Sequence, residues 1–153
     1  MLHDLLKVKE IREKSANDEV LRRKRLLAEA RQTKKEKEQA LFDYIEWRCK
    51  EEQALYDNIL NTDVRQNDLD MLKQKVALLR EKDATLEQAI EAAKNDVAAA
   101  EKALKAAQEA HHKAQLAVEK FEEFTRVLDE EAAREAQRLE EIEMEEFSVR
   151  PSR

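Results

Sequence analysis

The sequence contains no glycine among its 153 residues, and its only proline is Pro151. Average usage of about 7% would supply roughly ten glycines. Folds that depend on tight βα turns, Asn-Gly hairpins or glycine-rich phosphate loops are therefore excluded in practice. Cys49 is the only cysteine, so no internal disulfide can form. A lone cysteine is typical of a protein from a reducing compartment.

Long apolar runs are lacking as well. The longest purely apolar stretches, such as VAAA at 97–100, are far too short to span a bilayer. The first residues, MLHDLLKVKEIREK, are charged throughout and have no apolar centre like that of a signal peptide. We therefore expect a cytoplasmic protein with no direct membrane insertion.

Charged residues, in contrast, make up 42% of the chain, and Ala, Leu, Glu, Lys, Gln and Arg dominate it. This composition is typical of a long helix or a coiled coil, although a disordered chain can share it. The periodicity of the apolar residues decides between the two. From Leu69 onward, apolar residues recur with alternating steps of three and four.

These steps define two interleaved sets of seam positions, of which eighteen of twenty-two are apolar. One set is Leu69, Val76, Asp83, Ile90, Val97, Leu104, His111, Val118, Thr125, Ala132 and Leu139. The other is Leu72, Leu79, Leu86, Ala93, Ala100, Ala107, Ala114, Phe121, Leu128, Glu135 and Ile142. An unbroken seven-residue repeat predicts a helix over residues 69–147 that winds left-handed about a partner.

The simplest partner is the chain itself. Residues 1–60 are also helical in composition, with Leu41, Ile45, Leu55 and Ile59 on one stripe. Residues 61–68, NTDVRQND, form the one convincing turn, because Asn and Asp tolerate turn conformations and cap helices. Asn67 and Asp63 are the candidate N-caps. The sequence predicts an all-α, two-helix antiparallel coiled-coil hairpin in which facing residue numbers sum to about 129.

The two helices are predicted to be unequal and to carry different charge. The second outlasts the first by about 20 residues, so an acidic overhang begins at about residue 129, and residues 148–153 are expected to form a disordered tail. Residues 1–40 hold twelve Lys or Arg against eight Asp or Glu. Residues 31–39 contain nothing apolar and would face the run of seam alanines, where packing should be weak.

Motifs that could support catalysis or ligand binding are weak. Glu109 and His112 have the E-x-x-H spacing of di-iron bundles, but such sites need the motif twice, so we expect no metal and no cofactor. His111 is a seam position and more plausible as a polar residue that fixes register. RRKR at 22–25 is flanked by acidic residues in a chain of net charge −6, which favours a solvated face over nucleic-acid binding. No set of catalytic groups is evident, and we expect no enzyme.

Four of the seven aromatic residues lie within residues 42–56, FDYIEWRCKEEQALY. On a helix, Phe42 and Trp47 point about 140° apart, so both cannot enter one narrow seam. Tyr56 lies near the centre of the predicted stripe. Two interpretations remain open: a wide hairpin tip absorbs these rings, or the rings anchor a protein interface, where Trp and Tyr are enriched.

The same segment carries the pattern D-Y-x-x-W-R-x-x-E-E-x-x-L-Y, followed by Asn61-Thr62-Asp63 at the bend. In this pattern and in its length, the chain resembles the YscO stalk proteins of type III secretion and their flagellar counterpart FliJ. The resemblance implies a coiled coil similar to the γ subunit of rotary ATPases. Trp47 and Arg48 depart from the flagellar pattern and suggest the virulence branch.

The resemblance also implies partners. The end with both termini would enter the hexameric export ATPase, with contacts expected at Leu5, Lys7, Lys9, Arg12, Leu128, Leu139, Glu140 and Ile142. The region toward the bend would bind the cytoplasmic domain of the export gate or secretion chaperones, with contacts expected at Leu41, Phe42, Tyr44, Trp47, Arg48, Glu51, Tyr56, Leu72, Val76 and Leu79. Such a protein would lie at the base of the secretion apparatus, and whether it is itself exported stays open.

The alternative from another class is an architectural coiled-coil hairpin or adaptor with no ATPase partner. The off-seam aromatic residues and the unequal helices favour the stalk interpretation, because a spacer needs neither feature. Catalysis by this chain is a distant third possibility.

Overall fold

Two α-helices account for nearly all of the chain. The computed structural model describes residues 1–61 and 65–149, and in them it contains α1 (Leu2–Leu60, 59 residues) and α2 (Gln66–Val149, 84 residues), with no strand. The predicted all-α antiparallel hairpin with unequal helices is therefore confirmed. The absence of glycine and of internal proline explains why both helices run uninterrupted.

The ends of α2 lie slightly outside the predicted bounds. The helix begins at Gln66 rather than Leu69 and is still helical at Val149. The backbone N–H of Arg65 donates to Asp68 Oδ2 at 3.2 Å, which is the reciprocal half of a capping box, so Arg65 is the N-cap. The prediction of Asn67 as the cap is wrong, because Asn67 already lies inside the helix. Asp63, with the rest of 62–64, and residues 150–153 of the predicted tail lie outside the described residues.

The contacts within the chain divide it into two units. Unit 1 consists of Met1–Leu21 and Ala106–Arg153, and unit 2 of Arg22–Lys105. In each unit, a segment of α1 packs antiparallel to a segment of α2. Interhelical contacts join residues whose numbers sum to 124–132 in unit 1 and to 123–132 in unit 2, in agreement with the predicted register.

The α2 side of the seam follows the heptads in both units. In unit 2, every predicted seam position from Leu72 to Leu104 is buried or half-buried, and in unit 1 the same holds from Ala107 to Thr125. The most buried apolar residues of the described chain are few: Val20, Leu27, Leu72, Ala93 and Ala107. Two helices alone can bury only one narrow face each, so the core is a line of side chains.

The α1 side of the seam is more polar than the α2 side. The predicted stripe residues Leu41, Ile45, Leu55 and Ile59 are half-buried. Charged residues also occupy α1 positions that are buried or half-buried, namely Lys9, Glu13, Glu19, Arg23, Lys34, Arg48, Glu51 and Glu52. Hydrogen bonds across or along the seam compensate several of these charges, and no buried side-chain polar atom of the described residues lacks a partner.

The section where α1 residues 31–38 face the alanines of α2 packs loosely. An open groove there is lined by Ala28, Arg31, Gln32, Lys34, Lys35, Glu38, Val97 and Glu101. The Arg31 guanidinium reaches Glu101 Oε1 at 3.4 Å across it, and both side chains are exposed. Long polar side chains here cover small alanines.

In unit 1, the end of α2 has no α1 residues beside it. Every residue from Arg126 to Val149 is exposed. His3 Nε2 and Asp129 Oδ1, 3.3 Å apart, form an interhelical contact at the start of this stretch. We call residues 129–149 the overhang.

Candidate functional site

Four charged side chains join α1 to α2 in unit 2. The Arg48 guanidinium donates to Asp83 Oδ1 through Nε at 3.1 Å and to Glu52 Oε1 through Nη1 at 3.1 Å. The same Glu52 oxygen accepts from Arg80 Nε at 3.2 Å. The side chains of Arg48, Glu52 and Asp83 are 13%, 10% and 19% exposed. We call Arg48, Glu52, Arg80 and Asp83 the charged network.

The hydrogen bonds of the charged network alter the pKa of Glu52, Arg48 and Arg80. The hydrogen bond from Arg80 is the main cause that lowers the pKa of Glu52, and the bond from Arg48 adds to it against the opposing effect of burial. The bond to Glu52 raises the pKa of Arg48 and likewise that of Arg80. Glu52, Arg48 and Arg80 therefore favour their charged forms near neutral pH, and removal of one partner would leave an unmatched charge inside the seam, which is costly.

Tyr44 continues this network toward the middle of the chain. Its hydroxyl donates to the backbone carbonyl of Leu79 at 2.6 Å, in the opposite helix. Burial, followed by the charge of Asp83, raises the pKa of Tyr44. The centroids of the Trp47 and Tyr44 rings lie 5.6 Å apart. Lys82 Nζ lies 5.1 Å from the centroid of the Tyr44 ring. Trp47 thus packs against a tyrosine of α1 whose hydroxyl is hydrogen-bonded to α2.

Most residues expected at the export-gate surface lie in the seam instead of outside it. Buried or half-buried are Leu41, Tyr44, Arg48, Glu51, Leu72, Val76 and Leu79. Three of the expected contact residues face solvent: Phe42, Trp47 and Tyr56. Tyr56 was expected near the centre of the stripe and lies outside it, because Arg48 and Glu52 occupy the interhelical side of this segment.

The exposed aromatic residues belong to two different flanks of the seam. Trp47, 50% exposed, projects on one side, and Phe42, 60% exposed, on the other, consistent with their separation of about 140° around the helix. Tyr56 lies fourteen residues after Phe42, which is about four turns of 3.6 residues, and it therefore shares the side of Phe42. A single partner surface cannot cover both flanks while the helices stay paired.

In unit 1, the residues expected to contact the ATPase divide in a similar way. Leu5, Lys7, Arg12, Leu128, Leu139, Glu140 and Ile142 are exposed. Lys9 is half-buried, with Nζ 5.3 Å from the centroid of the Phe121 ring, so it belongs to the seam. The predicted register, in which facing residue numbers sum to about 129, places Leu5 near Phe121 and Phe124, yet Leu5 and Phe124 are each about half exposed.

The seam of unit 1 contains one histidine–carboxylate contact. His111 Nε2 lies 2.7 Å from Glu13 Oε1, and both side chains are partly buried. His112, the member of the E-x-x-H pair, is exposed. Among the residues that the structure describes, no group of three or more His, Cys, Asp or Glu could hold a metal ion.

Glu52, Arg80 and Asp83 were not singled out as a network by their sequence. A signal existed, because the predicted register places Glu52 opposite Arg80 and Arg48 opposite Asp83 with opposite charges. The periodicity of apolar residues does not mark charged side chains at seam positions, so it gives no sign of this network.

The paired helices, the exposed aromatic flanks and the acidic overhang define a two-helix coiled-coil hairpin protein. The family model for the type III secretion protein YscO matches residues 2–150. The chain therefore belongs to the YscO family of type III secretion proteins, as the resemblance implied.

A solved structure agrees with this assignment. The chain is similar to the crystal structure of the type III secretion protein YscO from Vibrio parahaemolyticus, with 31% sequence identity and a TM-score of 0.89. The match covers 96% of this chain and 92% of that chain. Among curated proteins, none matches. Within residues 1–61 and 65–149, neither helix is apolar enough over a sufficient length to cross a bilayer.

Proposed function

We propose that the chain is the cytoplasmic central stalk component of a type III secretion apparatus. In this proposal, unit 1 enters the hexameric export ATPase at the base of the apparatus, and unit 2 meets the export gate, with secretion chaperones as further partners. The stalk carries no catalytic group of its own and acts on the ATPase. The overhang is the observation that carries the proposal.

The overhang combines an apolar stripe with a strong negative charge. Ala132, Leu139 and Ile142 continue the heptad positions of the seam, but no α1 residue is left to cover them. The overhang holds nine Asp or Glu against two Arg. An exposed apolar stripe of this kind indicates a binding site.

A ring of ATPase subunits suits such a surface. Loops from several subunits would meet the stripe in turn, and the charged border would keep each contact shallow, because exposed ion pairs contribute only about 0 to 1 kcal/mol and are screened by salt. Exposed Leu5, Lys7 and Arg12 on α1 add a second, more basic surface in the same unit.

The decisive experiment measures ATP turnover by the export ATPase in the presence of the full chain or of a chain that ends at residue 128. The seams of both units lie before this point, so the truncated chain should remain folded, which circular dichroism checks. We expect the full chain to stimulate turnover and the truncated chain to have no effect. Stimulation should also weaken as salt rises.

Point variants separate the stripe from the charge. Leu139→Ser with Ile142→Ser should abolish stimulation, whereas Met144→Ser should not, because Met144 is exposed in the same acidic surroundings but lies off the stripe. Equal stimulation by the full and truncated chains would contradict the proposal and favour an architectural hairpin or adaptor with no ATPase partner.

A further inference from the structure

One flank of unit 2 presents apolar and basic side chains together. On α1 it carries Trp47 and, two turns on, Ala54; on α2 it carries Lys75, Leu78 and Lys82, which are spaced three and four apart on one helix face. We call these five residues the tryptophan flank. Lys82 and Trp47 both contact the Tyr44 ring, which joins the two halves of the flank.

The apolar members of the tryptophan flank are unusually exposed for their size. Trp47 is 50% and Leu78 66% exposed, and Met71, one heptad before Leu78 on the same face, is exposed as well. Trp47 is also held in place, because Tyr44 is anchored by its 2.6 Å hydrogen bond to the Leu79 carbonyl. A fixed, half-exposed tryptophan is the kind of side chain that dominates protein interfaces.

Where the two helices meet, this flank carries Lys75 and Lys82, which are exposed, and one carboxylate, Glu51, which is half-buried on α1 one turn after Trp47. In the part of the chain that the structure describes, neither Lys75 nor Lys82 forms an ion pair with a carboxylate. The outer rim on α1 carries both signs, with Asp43, Lys50 and Asp57 in line, and each Asp there accepts a hydrogen bond from a glutamine. The two α2 ammonium groups are therefore the exposed charges that this flank presents beside the seam, and they outnumber the half-buried Glu51.

We propose that the tryptophan flank binds an acidic amphipathic helix of a partner protein. The apolar side of that helix packs on Trp47 and Leu78, and its carboxylates pair with Lys75 and Lys82. The small Ala54 leaves room beside the two helices for a third to approach. The charge complementarity selects an acidic occupant over a basic or neutral one.

The opposite flank combines its aromatic residues with a different arrangement of charges. Phe42 and Tyr56 are exposed there, and Arg80, one of the cations on that side of α2, is already paired with Glu52 at 3.2 Å. An acidic helix would gain no free cation from that pair. Phe42 is therefore a natural control for Trp47, because both are exposed aromatic residues of the same segment.

This inference rests on the proposed function only in assigning unit 2 to a protein partner, and it adds the partner's chemistry. Its test needs no ATPase. A failure of ATPase stimulation would leave the tryptophan flank untouched, and a failure of helix binding would leave the ATPase contact untouched.

The probe is a synthetic amphipathic helix of about 20 residues with Leu at i, i+3, i+4 and i+7 positions and Glu on the remaining faces. A matched probe carries Lys in place of every Glu. Calorimetric titration of the full chain should show binding of the Glu probe and at least tenfold weaker binding of the Lys probe. Binding of the Glu probe should weaken as salt rises.

Variants of the full chain locate the binding surface. Trp47→Ala, and separately Lys75→Glu with Lys82→Glu, should each weaken binding of the Glu probe about tenfold or more. Phe42→Ala and the pair Lys73→Glu with Lys94→Glu, which make equal changes away from the tryptophan flank, should change it less than about twofold. Circular dichroism of every variant checks that the helices are retained. If Lys82→Glu disturbs Tyr44, Lys75→Glu alone replaces the double variant in the binding measurement.

Four results would overturn the proposal. The first is the absence of binding by the Glu probe. The second is equally tight binding by the Lys probe, which would show that charge does not select the occupant. The third is an equal loss from Phe42→Ala and Trp47→Ala, which would place the occupant elsewhere. Association of the chain with itself through this flank, detected by sedimentation without the probe, would also contradict a separate partner.

Discussion

Glu52 holds the charged network of unit 2 together, because one of its oxygens accepts from both Arg48 and Arg80. Its side chain is also the most buried carboxylate in that network. A substitution at Glu52 therefore leaves two guanidinium groups without their shared acceptor, whereas a substitution at an exposed carboxylate of the same segment leaves none.

The lowered pKa of Glu52 predicts how stability depends on pH. A carboxylate whose pKa is lower in the folded chain stabilises the fold above its ordinary value, near 4.5, and this contribution is lost as pH falls through the lowered pKa. Glu52→Gln should therefore lower the melting temperature at pH 7, and its difference from wild type should shrink as pH falls below about 4.5.

Thermal unfolding at several pH values measures this difference. The control is Glu46→Gln, which removes the same charge from an exposed residue of the same helix and should change the free energy of unfolding by less than about 0.5 kcal/mol. A difference between Glu52→Gln and wild type that stays constant from neutral to acidic pH would contradict the assigned role of Glu52.

At the scale of the helix, α1 and α2 differ in how their pairing is specified. α2 offers apolar residues at nearly every seam position, so a shift of one heptad would still match apolar to apolar. α1 offers Arg48, which finds Asp83 in the observed register but would meet Val76 or Ile90 after such a shift. Charged seam residues commonly fix register in this way, at some cost in stability.

We expect Arg48→Leu with Asp83→Leu to keep unit 2 helical but to allow more than one register. Spin labels at Gln53 and Gln74, in a Cys49→Ser background, report the register as a distance distribution. Wild type should give one population, and the double variant should add populations in which the helices are offset by one heptad, about 10 Å along the axis. Leu72→Ile, a conservative change in the same seam, is the control.

A single unchanged distance in the double variant would mean that apolar packing alone sets the register. In that case the charged network would contribute stability or solubility, with no part in specifying the pairing.

The same difference between the helices explains what the sequence could predict. The heptads of α2 were readable because apolar residues mark them, and the register followed from the turn. Apolar periodicity identifies only some of the α1 seam residues, because Tyr44, Arg48 and Glu52 carry polar groups. The seam position of the expected export-gate residues required coordinates, since a pattern shared with a family does not say which face of a helix its residues occupy.

At the scale of the whole chain, the α2 seam positions of each unit are covered by α1 residues of the same unit. Apolar α2 positions are covered by α1 from Leu72 to Leu104 in unit 2 and from Ala107 to Thr125 in unit 1. Among residues 1–61 and 65–149, the longest run of uncovered seam positions is the overhang with the adjoining Leu128, and the overhang's excess of seven negative charges opposes self-association.

We therefore expect the isolated chain to be a monomer in solution at physiological salt. Sedimentation equilibrium over a wide concentration range measures this directly. High salt screens the overhang and provides an internal control, because any weak self-association should then increase. A stable dimer at low salt would contradict the intramolecular pairing of the seams.

The sole tryptophan of the chain stands against Tyr44, with their rings 5.6 Å apart, and Tyr44 is bonded to the opposite helix. The colour of the indole emission follows its exposure to water, and Trp47 is half exposed beside the Tyr44 ring. The protein thus carries a built-in optical reporter. Separation of the helices in unit 2 and coverage of Trp47 would change its emission in different ways, without any attached dye.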